Sequence, residues 1–309
     1  MKNILIFYFS ATGNTRRIAK LYRDALQEEC SVELKSLPLD CNVSEICFDK
    51  YELIGIGYPI HAFNAPENVL KFAKSFPKRD KRRPKKRVFV FKTSGEPVRM
   101  SDVSSLKLDR ILKRRGYSIT NEYQYVMPYN IIFRHTDAQA YKMLETAKAL
   151  VPIDCKEILS GKRVRPKCVP FGAFVAGVLR IEQPGARLIG KYFKATNECV
   201  KCGLCVKNCP AHNIKWKECD DGSKKIEFGN QCLICMRCVF TCPEDAIRPG
   251  ILNNWRVNGA YSFAPPETDE PRTDKFARYC QKAYDRYYAN AEKKIRADKN
   301  ASQDPTENA

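Results

Sequence analysis

Residues 4–15 read ILIFYFSATGNT, and this stretch decides the fold. Every side chain from Ile4 to Phe9 is apolar or aromatic, a pattern that a β-strand tolerates only when both of its faces are buried. The strand is therefore expected at the centre of a parallel sheet. The polar residues Ser10–Thr15 follow it and lead into a helical pattern, so they are expected between the carboxyl end of this strand and the amino end of a helix.

Outward from this stretch, short apolar runs alternate with helical patterns up to about residue 160, which is typical of βαβ units and predicts an α/β fold with a doubly wound sheet of five parallel strands. The strands are predicted at Asn3–Phe9, Val32–Leu37, Leu53–Tyr58, Arg87–Lys92 and Ile119–Val126. The helices that connect them are predicted near Asn14–Glu29, Pro66–Ser75, Val103–Arg115 and Asp137–Leu159.

The chain divides into four predicted parts: the α/β domain at 1–160, a connector at 161–195, a cysteine-rich unit at 196–250 and a C-terminal segment at 251–309. In the connector, Gly and Pro punctuate a short apolar helix at Phe171–Leu179. A basic amphipathic helix is predicted from Asp274 to Ala297, as a packing or docking element, before a frayed tail. The apolar side of this helix is predicted to carry Phe276, Tyr279, Ala283, Tyr287 and Ile295.

Eight of the 15 cysteines fall in two runs that repeat each other, and such self-similarity implies a pseudo-twofold module. A hairpin with an Asp221–Gly222 turn is predicted between the two copies. Dense runs of this kind in a reducing compartment indicate metal rather than disulfides. The cysteines outside the runs are expected to be buried spectators: Cys30, Cys41, Cys47, Cys155, Cys168, Cys219 and Cys280.

Each run has the spacing C-x2-C-x2-C-x3-C-P, which is typical of bacterial two-cluster ferredoxins. Three thiolates of one loop wrap three corners of an iron–sulfur cube, and the fourth cysteine points away and serves the other cube. We therefore expect one [4Fe–4S] cluster at Cys199, Cys202, Cys205 and Cys242, and a second at Cys232, Cys235, Cys238 and Cys209. Zinc is the alternative, but zinc sites use two separated C-x2-C pairs rather than a triplet plus one.

The loop from Ser10 to Thr15 offers hydroxyl groups and free backbone N–H groups where a helix dipole is positive, so it can hold a phosphate without a lysine. The alternative is an ordinary Ser/Thr-capped helix. A P-loop would need Gly-Lys-Ser/Thr at this turn and a dinucleotide-binding fold would need G-x-G-x-x-G, and neither is present. Gly55 and Gly57 form only a fragment of the dinucleotide motif within a strand, where tight packing is the better interpretation.

At this loop the chain resembles the flavodoxin family, whose phosphate loop matches Ser10, Thr12, Gly13, Asn14 and Thr15. The resemblance implies bound FMN at the carboxyl ends of the strands, between the first and third strands of the order 2-1-3-4-5. Two further loops are expected by position to border the isoalloxazine ring. Their residues are Pro59, Ile60, His61, Ala62, Phe63 and Asn64 after the third strand, and Thr93, Ser94 and Gly95 after the fourth.

Two departures from the flavodoxin pattern stand out. No aromatic residue occurs from Thr93 to Pro97, so one face of the flavin is expected to be open. Flavodoxins are usually acidic, whereas a dense basic run lies just before the fourth strand here, at residues 78–87. Positive potential from this run near the flavin would raise its reduction potential. His61 is interpreted either as a neighbour of the flavin or as a polar residue of a surface loop, with no catalytic role.

The whole arrangement resembles the flavodoxin–ferredoxin fusion proteins of anaerobes, which implies a flavodoxin-like sheet followed by a small α+β two-cluster ferredoxin domain. The function implied is electron transfer between FMN, two [4Fe–4S] clusters and external redox partners. An alternative is an FMN-dependent oxidoreductase that acts on a small molecule, such as a quinone or a porphyrinogen, at the open flavin face. No Ser-His-Asp, H-E-x-x-H or paired-carboxylate arrangement indicates hydrolysis.

The formal net charge of +19 predicts attraction to anionic partners. Acidic redox proteins are the expected partners. The basic run has no interleaved aromatics, so nucleic-acid binding is not expected. Weak contact with an anionic surface is the alternative. No stretch approaches the roughly 18 apolar residues that a membrane span needs, and a cytoplasmic location is expected.

Overall fold

The computed structural model describes residues 1–38, 43–166, 169–267 and 280–303. Its N-terminal half is built on one sheet in which all neighbouring strands are parallel, in the order β2-β1-β3-β4-β5. The five predicted strands are all present, each longer by one or two residues at one or both ends. They are β1 (Lys2–Phe9), β2 (Cys30–Leu37), β3 (Leu53–Pro59), β4 (Lys86–Ser94) and β5 (Tyr117–Val126). This is the doubly wound, flavodoxin-like order.

The sheet is buried on both faces because its central strands alternate between two cores. From β1, Leu5 and Phe7 belong to one core, while Ile4 and Ile6 belong to the other. The first core is closed by α2 (Glu67–Ser75) and α3 (Leu106–Arg114), and the second by α1 (Asn14–Leu26) and α4 (Asp137–Leu159). The prediction that β1 is a central strand is confirmed.

The two glycines of β3 are explained by packing. A Cβ on Gly55 would lie 2.5 Å from the Phe89 ring, and a Cβ on Gly57 would lie 2.1 Å from the Phe91 ring. Both rings come from the neighbouring strand β4 and need the space that the missing side chains leave. The interpretation of these glycines as packing positions is therefore confirmed.

The helices depart from prediction mainly at their ends. The α1 helix ends at Leu26 rather than at Glu29, and a 3-10 segment, Arg99–Ser105, precedes α3. The bounds of α4 are those predicted. Its N-terminus has a capping box in which the backbone N–H of Gln139 donates to Thr136 Oγ1 and that of Thr136 donates to the Gln139 side chain.

The connector holds two helices, α5 (Gly172–Leu179) and α6 (Glu182–Gly190), of which only the first was predicted. The pair Pro184–Gly185 was interpreted as punctuation. Pro184 instead lies in the first turn of α6, where the missing backbone N–H has no intrahelical acceptor to lose. Two short helices, α7 (Leu204–Asn208) and α8 (Arg237–Phe240), each contain the third cysteine of a run.

Two small antiparallel sheets complete the cysteine-rich part. The predicted hairpin is present as β7 (Ile214–Glu218) paired with β8 (Lys224–Phe228), and β6 (Lys194–Ala195) pairs with β9 (Ile247–Arg248). The pairing of β6 with β9 joins the start of this part to its end. Phe193, Ile214, Phe228, Val239 and Ile247 form its core.

A C-terminal helix, α9 (Gln281–Gln303), packs against α4, which confirms that it is a packing element. The residues that it buries most deeply are Tyr284 and Ala291, whereas the predicted Ala283, Tyr287 and Ile295 are only partly buried. The predicted Phe276 and Tyr279 lie outside the described residues. Within the described part of the chain, no helix has the length and apolar character to cross a bilayer.

Candidate functional site

A cavity of about 460 Å³ lies at the carboxyl ends of β1, β3 and β4. The three loops predicted to bind FMN meet there, although Ser10 and Gly95 are 85 positions apart in the chain. The lining includes every predicted FMN residue except Gly13 and Asn64. The predicted residues that line it are Ser10, Thr12, Asn14, Thr15, Pro59, Ile60, His61, Ala62, Phe63, Thr93, Ser94 and Gly95.

The N-terminus of α1 opens toward this cavity without a capping side chain. Its N-cap residue is Gly13, in the left-handed region with φ 103°, and among the described residues no side-chain capping hydrogen bond is made at this position. The alternative interpretation, an ordinary Ser/Thr-capped helix, is therefore wrong. The first N–H groups of a helix have no intrahelical acceptor, so this end can bind an anion.

Hydrogen bonds within the loop hold this N-terminus in place. Ser10 Oγ accepts from the backbone N–H of Gly13, at 3.2 Å, and the hydroxyls of Thr15 and Thr93 are 2.8 Å apart. Asn14 Nδ2 donates to the carbonyl of Pro128 at 2.8 Å, which connects the loop to the segment after β5. The loop is thus tied to β4 through the Thr93 hydroxyl and to the segment after β5 through the Pro128 carbonyl.

The loop after β3 is a tight turn. Backbone hydrogen bonds join His61 and Asn64 in both directions, and Ala62 and Phe63 between them have positive φ angles. Asn64 is buried, and its Nδ2 donates to the carbonyls of Ala62 and Ala176 rather than lining the cavity. His61 does line the cavity, and burial lowers its pKa to about 4. Its ring is therefore neutral near pH 7.

Much of the cavity wall was not predicted. Met127, Pro128, Tyr129, Asn130, Ile131 and Ile132 line it after β5, and the C-terminal half of the chain adds Glu182, Ile189, Ile234, Leu252 and Trp255. Gly95 leaves room for one of them, since a Cβ there would lie 2.4 Å from the Tyr129 ring. The loop 93–97 has no aromatic, as the sequence indicated, but Tyr129 and Trp255 supply aromatic surface from elsewhere. No local motif marks these residues.

Two partly buried carboxyl groups border the cavity. Burial raises the pKa of Glu96 to about 7, and it raises the pKa of Glu182 to about 7 as well. Both groups therefore exchange protons near neutral pH, unlike ordinary surface carboxylates. A proton donor and a neutral imidazole at one cavity are the kind of surroundings in which a redox group can take up a proton together with electrons.

The structure brings the eight cysteines of the two runs together in the two sets that the sequence predicts. One small cavity is lined by Cys199, Cys202, Cys205 and Cys242, and another by Cys209, Cys232, Cys235 and Cys238. The fourth cysteine of each run thus lies with the first three of the other. Apolar side chains complete both linings, among them Ile226 and Ile247 in the first and Phe193 and Phe228 in the second.

The two cysteine runs share their backbone conformation as well as their sequence pattern. The fourth cysteines, Cys209 and Cys242, each accept a backbone N–H···S hydrogen bond of 3.3 Å from the residue four positions later. Positive φ angles recur at three matching pairs of positions: Lys201 and Ile234, Gly203 and Met236, and His212 and Asp245. The repeat is therefore a conformational one, in which matching residues adopt the same unusual backbone to aim the thiols.

Within the described residues, no three His, Cys, Asp or Glu side chains lie together as ligands of one metal ion would. Thiolates around a single zinc lie within about 4 Å of each other, given Zn–S bonds of about 2.3 Å. The described cysteines are not grouped as closely as a single zinc requires.

Outside the two runs, Cys30, Cys155 and Cys280 are buried as expected, Cys219 is partly buried, and Cys47 is exposed, against expectation. Cys41 and Cys168 lie outside the described residues.

The second cysteine run is in direct contact with the cavity and with the loop before α1. Ile234 lines the cavity, and Asn130 Nδ2 donates to the carbonyl of Cys235 at 3.1 Å. Arg237 donates to the carbonyls of Ser10 and Ala11, with Nε 2.6 Å from the latter, and also to that of Asn208. One guanidinium group therefore joins the loop at α1 to both cysteine runs.

The basic run at residues 78–87 lies at the opposite edge of the sheet. It ends at the first residues of β4, whereas the cavity lies beyond the last ones. Nine residues of strand span roughly 26 Å, about three times the Debye length of about 8 Å at physiological salt. This placement removes the basis for the expectation that the run raises the potential of a bound flavin, because the run and the cavity lie at opposite ends of β4.

Comparison with solved structures finds likenesses to flavodoxins over about half of the chain. A flavodoxin from the domain Archaea is 16% identical, with 51% of this chain and 99% of that one covered and a TM-score of 0.34. A short-chain flavodoxin associated with a non-canonical PDU bacterial microcompartment is 15% identical, with coverages of 52% and 99% and a TM-score of 0.38. A flavodoxin of Streptococcus pneumonia TIGR4 is 15% identical, with coverages of 51% and 98% and a TM-score of 0.37.

No protein-family model matches the chain, and a search of curated proteins also finds no match. The description of residues 2–159 as flavodoxin-like rests on the strand order of the sheet.

Proposed function

We propose that the protein transfers electrons between an FMN held in the cavity, two [4Fe–4S] clusters held by the cysteine runs, and external redox partners. The observation that carries the proposal is the contact between the second cysteine run and the cavity, through Ile234, Asn130 and Arg237. A metal site that only stabilised the fold would not require contact with a ligand cavity. FMN exchanges one or two electrons and each cluster exchanges one, so such a protein converts between two-electron and one-electron transfer.

The residues of the cavity fit FMN. The uncapped N-terminus of α1, with the hydroxyls of Ser10, Thr12 and Thr15, would hold the phosphate. The turn at residues 59–63 and the segment 93–95 would border the ring. Tyr129 and Trp255 would limit its contact with water. Glu96 and Glu182 would hold protons beside it near pH 7.

The cysteines fit two four-iron clusters. Each set provides four thiols on loops whose backbone N–H groups point at sulfur, and hydrogen bonds of this kind stabilise bound thiolates. The set with Cys235 borders the cavity, so we propose that it exchanges electrons with the flavin. The set with Cys202, whose side chain is exposed, would face external partners, for which acidic redox proteins are expected.

The alternative, oxidation or reduction of a small molecule at an open flavin face, receives less support. Residues 127–132 and Trp255 occupy the cavity wall and leave less room than the sequence suggested. Steady-state assays with NAD(P)H, quinones and reduced ferredoxin distinguish the two functions. A carrier reacts with the protein donor, whereas the enzyme turns over a small substrate.

The composition of anaerobically purified protein tests the proposal directly. We expect a visible spectrum of flavin and iron–sulfur groups, about eight irons and a similar amount of sulfide per chain, and about one FMN. A colourless protein, or one that contains zinc in place of iron, would contradict the proposal.

The assignment of cysteines to clusters makes a sharper prediction. Cys242→Ala should damage the cluster built mainly by Cys199, Cys202 and Cys205 and leave the other intact, because Cys242 lines only the first of the two cysteine cavities. Iron content and electron paramagnetic resonance of the reduced protein measure this. Cys47→Ala is the matched control, since Cys47 is exposed and lies outside the runs. Selective loss of the Cys232 cluster instead would show that the assignment is reversed.

A further inference from the structure

The α5 helix packs with its small residues inward and its large apolar residues outward. A Cβ on Gly172 would lie 2.6 Å from Val103, and Ala176 is 3% exposed, so this side fits closely against the segment before α3. Phe174 and Val178, on the other side of the helix, are 72% and 56% exposed. A helix that packs only within its own chain would bury these larger side chains instead.

The flanking residues and α6 repeat this arrangement. Ala186 and Gly190 face inward, and Gly190 lies so close to Cys232 that a Cβ would be 2.1 Å from that of the cysteine. The large side chains again point outward. The apolar face, as we define it, comprises Phe171, Phe174, Val178, Ile181, Leu188 and Tyr192, each between 56% and 84% exposed. Large apolar side chains left this exposed on two consecutive helices and their flanks are candidates for contact with a partner.

Cations adjoin the apolar face, and some of them, such as Arg187 with Glu67, are paired with acids from neighbouring elements. Segment 161–195 contains eight Lys and Arg residues and one acid, Glu182, which borders the cavity. Burial and the repulsion of Arg180, Lys74 and Arg110 lower the pKa of Lys107, and the Glu67 carboxylate opposes this shift. These four side chains therefore form one group of like charges, the cation group, beside the end of α5.

We propose that the apolar face and the cation group together dock the protein on an anionic lipid surface. Apolar and aromatic side chains that project from short helices, flanked by Lys and Arg, are the features that insert into the headgroup region of such a surface. The projecting side chains need no complementary pockets there, because lipid chains rearrange around them. The proposal does not depend on FMN or on the clusters.

A second copy of the chain fits this face less well. Two copies would bring their cation groups toward each other, and each chain has a formal net charge of +19. The docked orientation would also have a consequence for the cavity, because Glu182 and Ile189 of α6 line it. The cavity would then open close to the lipid surface.

Flotation of the purified protein with vesicles tests the proposal. The vesicles contain phosphatidylcholine and phosphatidylglycerol in equal parts, or phosphatidylcholine alone, at low and high salt. The wild-type protein should float with the anionic vesicles, less so at high salt, and hardly with the neutral ones. Phe174→Ser combined with Ile181→Ser should weaken flotation by tenfold or more, since each removes a large apolar side chain from the lipid.

Charge variants distinguish vesicle binding through the apolar face and the cation group from nonspecific electrostatic attraction of the whole protein. Lys107→Gln with Arg110→Gln should weaken binding to anionic vesicles by about thirtyfold, because each cation near such a surface contributes about 1 kcal/mol. Arg82→Gln with Arg83→Gln removes the same charge from the distant basic run and should leave binding nearly unchanged. Circular dichroism verifies that every variant folds.

Several results would overturn the proposal. The wild type could fail to float with anionic vesicles, the two serine substitutions could have no effect, or the control pair could weaken binding as much as the pair at the face. A dimer that the serine substitutions dissociate, seen by sedimentation equilibrium without vesicle binding, would assign the face to a second copy. Tight binding to an acidic flavodoxin, lost on the same substitutions without vesicle binding, would assign it to a protein partner.

Discussion

Three titratable side chains at the cavity have pKa values far from those of surface groups, and burial is the cause in each case. The pKa of His61 falls to about 4, while those of Glu96 and Glu182 rise to about 7. Removal from water penalises the charged form of a group, so the imidazole stays neutral and the carboxyls retain protons. At pH 7 the cavity is therefore less charged than its residue types suggest.

Glu96→Gln should stabilise the protein at high pH. The carboxyl titrates near 4.5 when exposed and near 7 in the folded protein, so the folded state binds more protons between these values. The free energy of unfolding then decreases as pH rises through this window. Relative to wild type, the variant should gain up to about 3 kcal/mol at pH 8 and little at pH 4. Urea unfolding at both pH values measures this, with the exposed Glu145→Gln as control. An equal gain at both would contradict the assigned pKa.

Arg237→Gln should slow electron exchange between the flavin and the clusters, on the proposed function. Its guanidinium group holds the second cysteine run against the carbonyls of Ser10 and Ala11, and Gln is too short to make the same contacts. We expect a decrease of at least about tenfold in the intramolecular rate, equivalent to about 1.4 kcal/mol. Flash photoreduction followed by visible absorbance measures it. Lys207→Gln, an exposed change on α7, is the control, and equal rates in both would show that Arg237 has no positioning role.

At the scale of elements, α9 is held on α4 by a partly buried ion pair. Lys294 Nζ lies 2.6 Å from Asp154 and 2.7 Å from Glu157, and the Asp154 side chain is only 4% exposed. Burial raises the pKa of Asp154 to about 6, although Lys294 opposes this shift. The helix that ends the described chain thus supplies the cation for a carboxylate buried on α4.

Lys294→Met should destabilise the protein by roughly 3 kcal/mol at pH 8, because it leaves a buried carboxylate without its cation. At pH 5 the loss should be smaller, since Asp154 is protonated below its pKa of about 6 in wild type and at still higher pH in the variant. Thermal unfolding at the two pH values tests this. Lys148→Met, which removes an exposed partner of Glu145 on α4, should change little. A loss independent of pH would mean that Lys294 acts through packing alone.

At the scale of the whole molecule, the two edges of the sheet have different roles. The carboxyl edge holds the cavity and contacts the second cysteine run, while the amino edge holds the basic run. Parallel strands separate these regions by their full length. Charge on one edge is therefore largely screened from the other, and a net charge of +19 says little about the potential at the cavity.

Replacing Lys81, Arg82 and Arg83 with Gln should leave the flavin reduction potential unchanged, on the proposed function. The three cations lie at the far edge, beyond the range of the Debye length. Potentiometric titration of the flavin in the wild type and the triple variant tests this. A shift above about 30 mV, a tenfold change in a two-electron equilibrium, would show that the run acts on the cavity.

The sequence alone determined the sheet, the loop at α1 and the grouping of the cysteines. An unbroken apolar run such as Ile4–Phe9 fixes burial on both faces, and the spacing of Cys199, Cys202 and Cys205 fixes which thiols one loop can aim at one point. These features depend on neighbours a few residues away, where periodicity and spacing carry the information. The alternation of strands and helices then leaves few possible topologies.

Tertiary structure alone decided what closes the cavity and where charge lies relative to it. Trp255 reaches the cavity from the C-terminal half, and Arg237 contacts Ala11 across 226 positions of sequence. The basic run is close to β4 in sequence yet lies at the wrong end of that strand to affect the cavity. Contacts over such separations depend on how whole elements pack, and no pattern within a single segment records that packing.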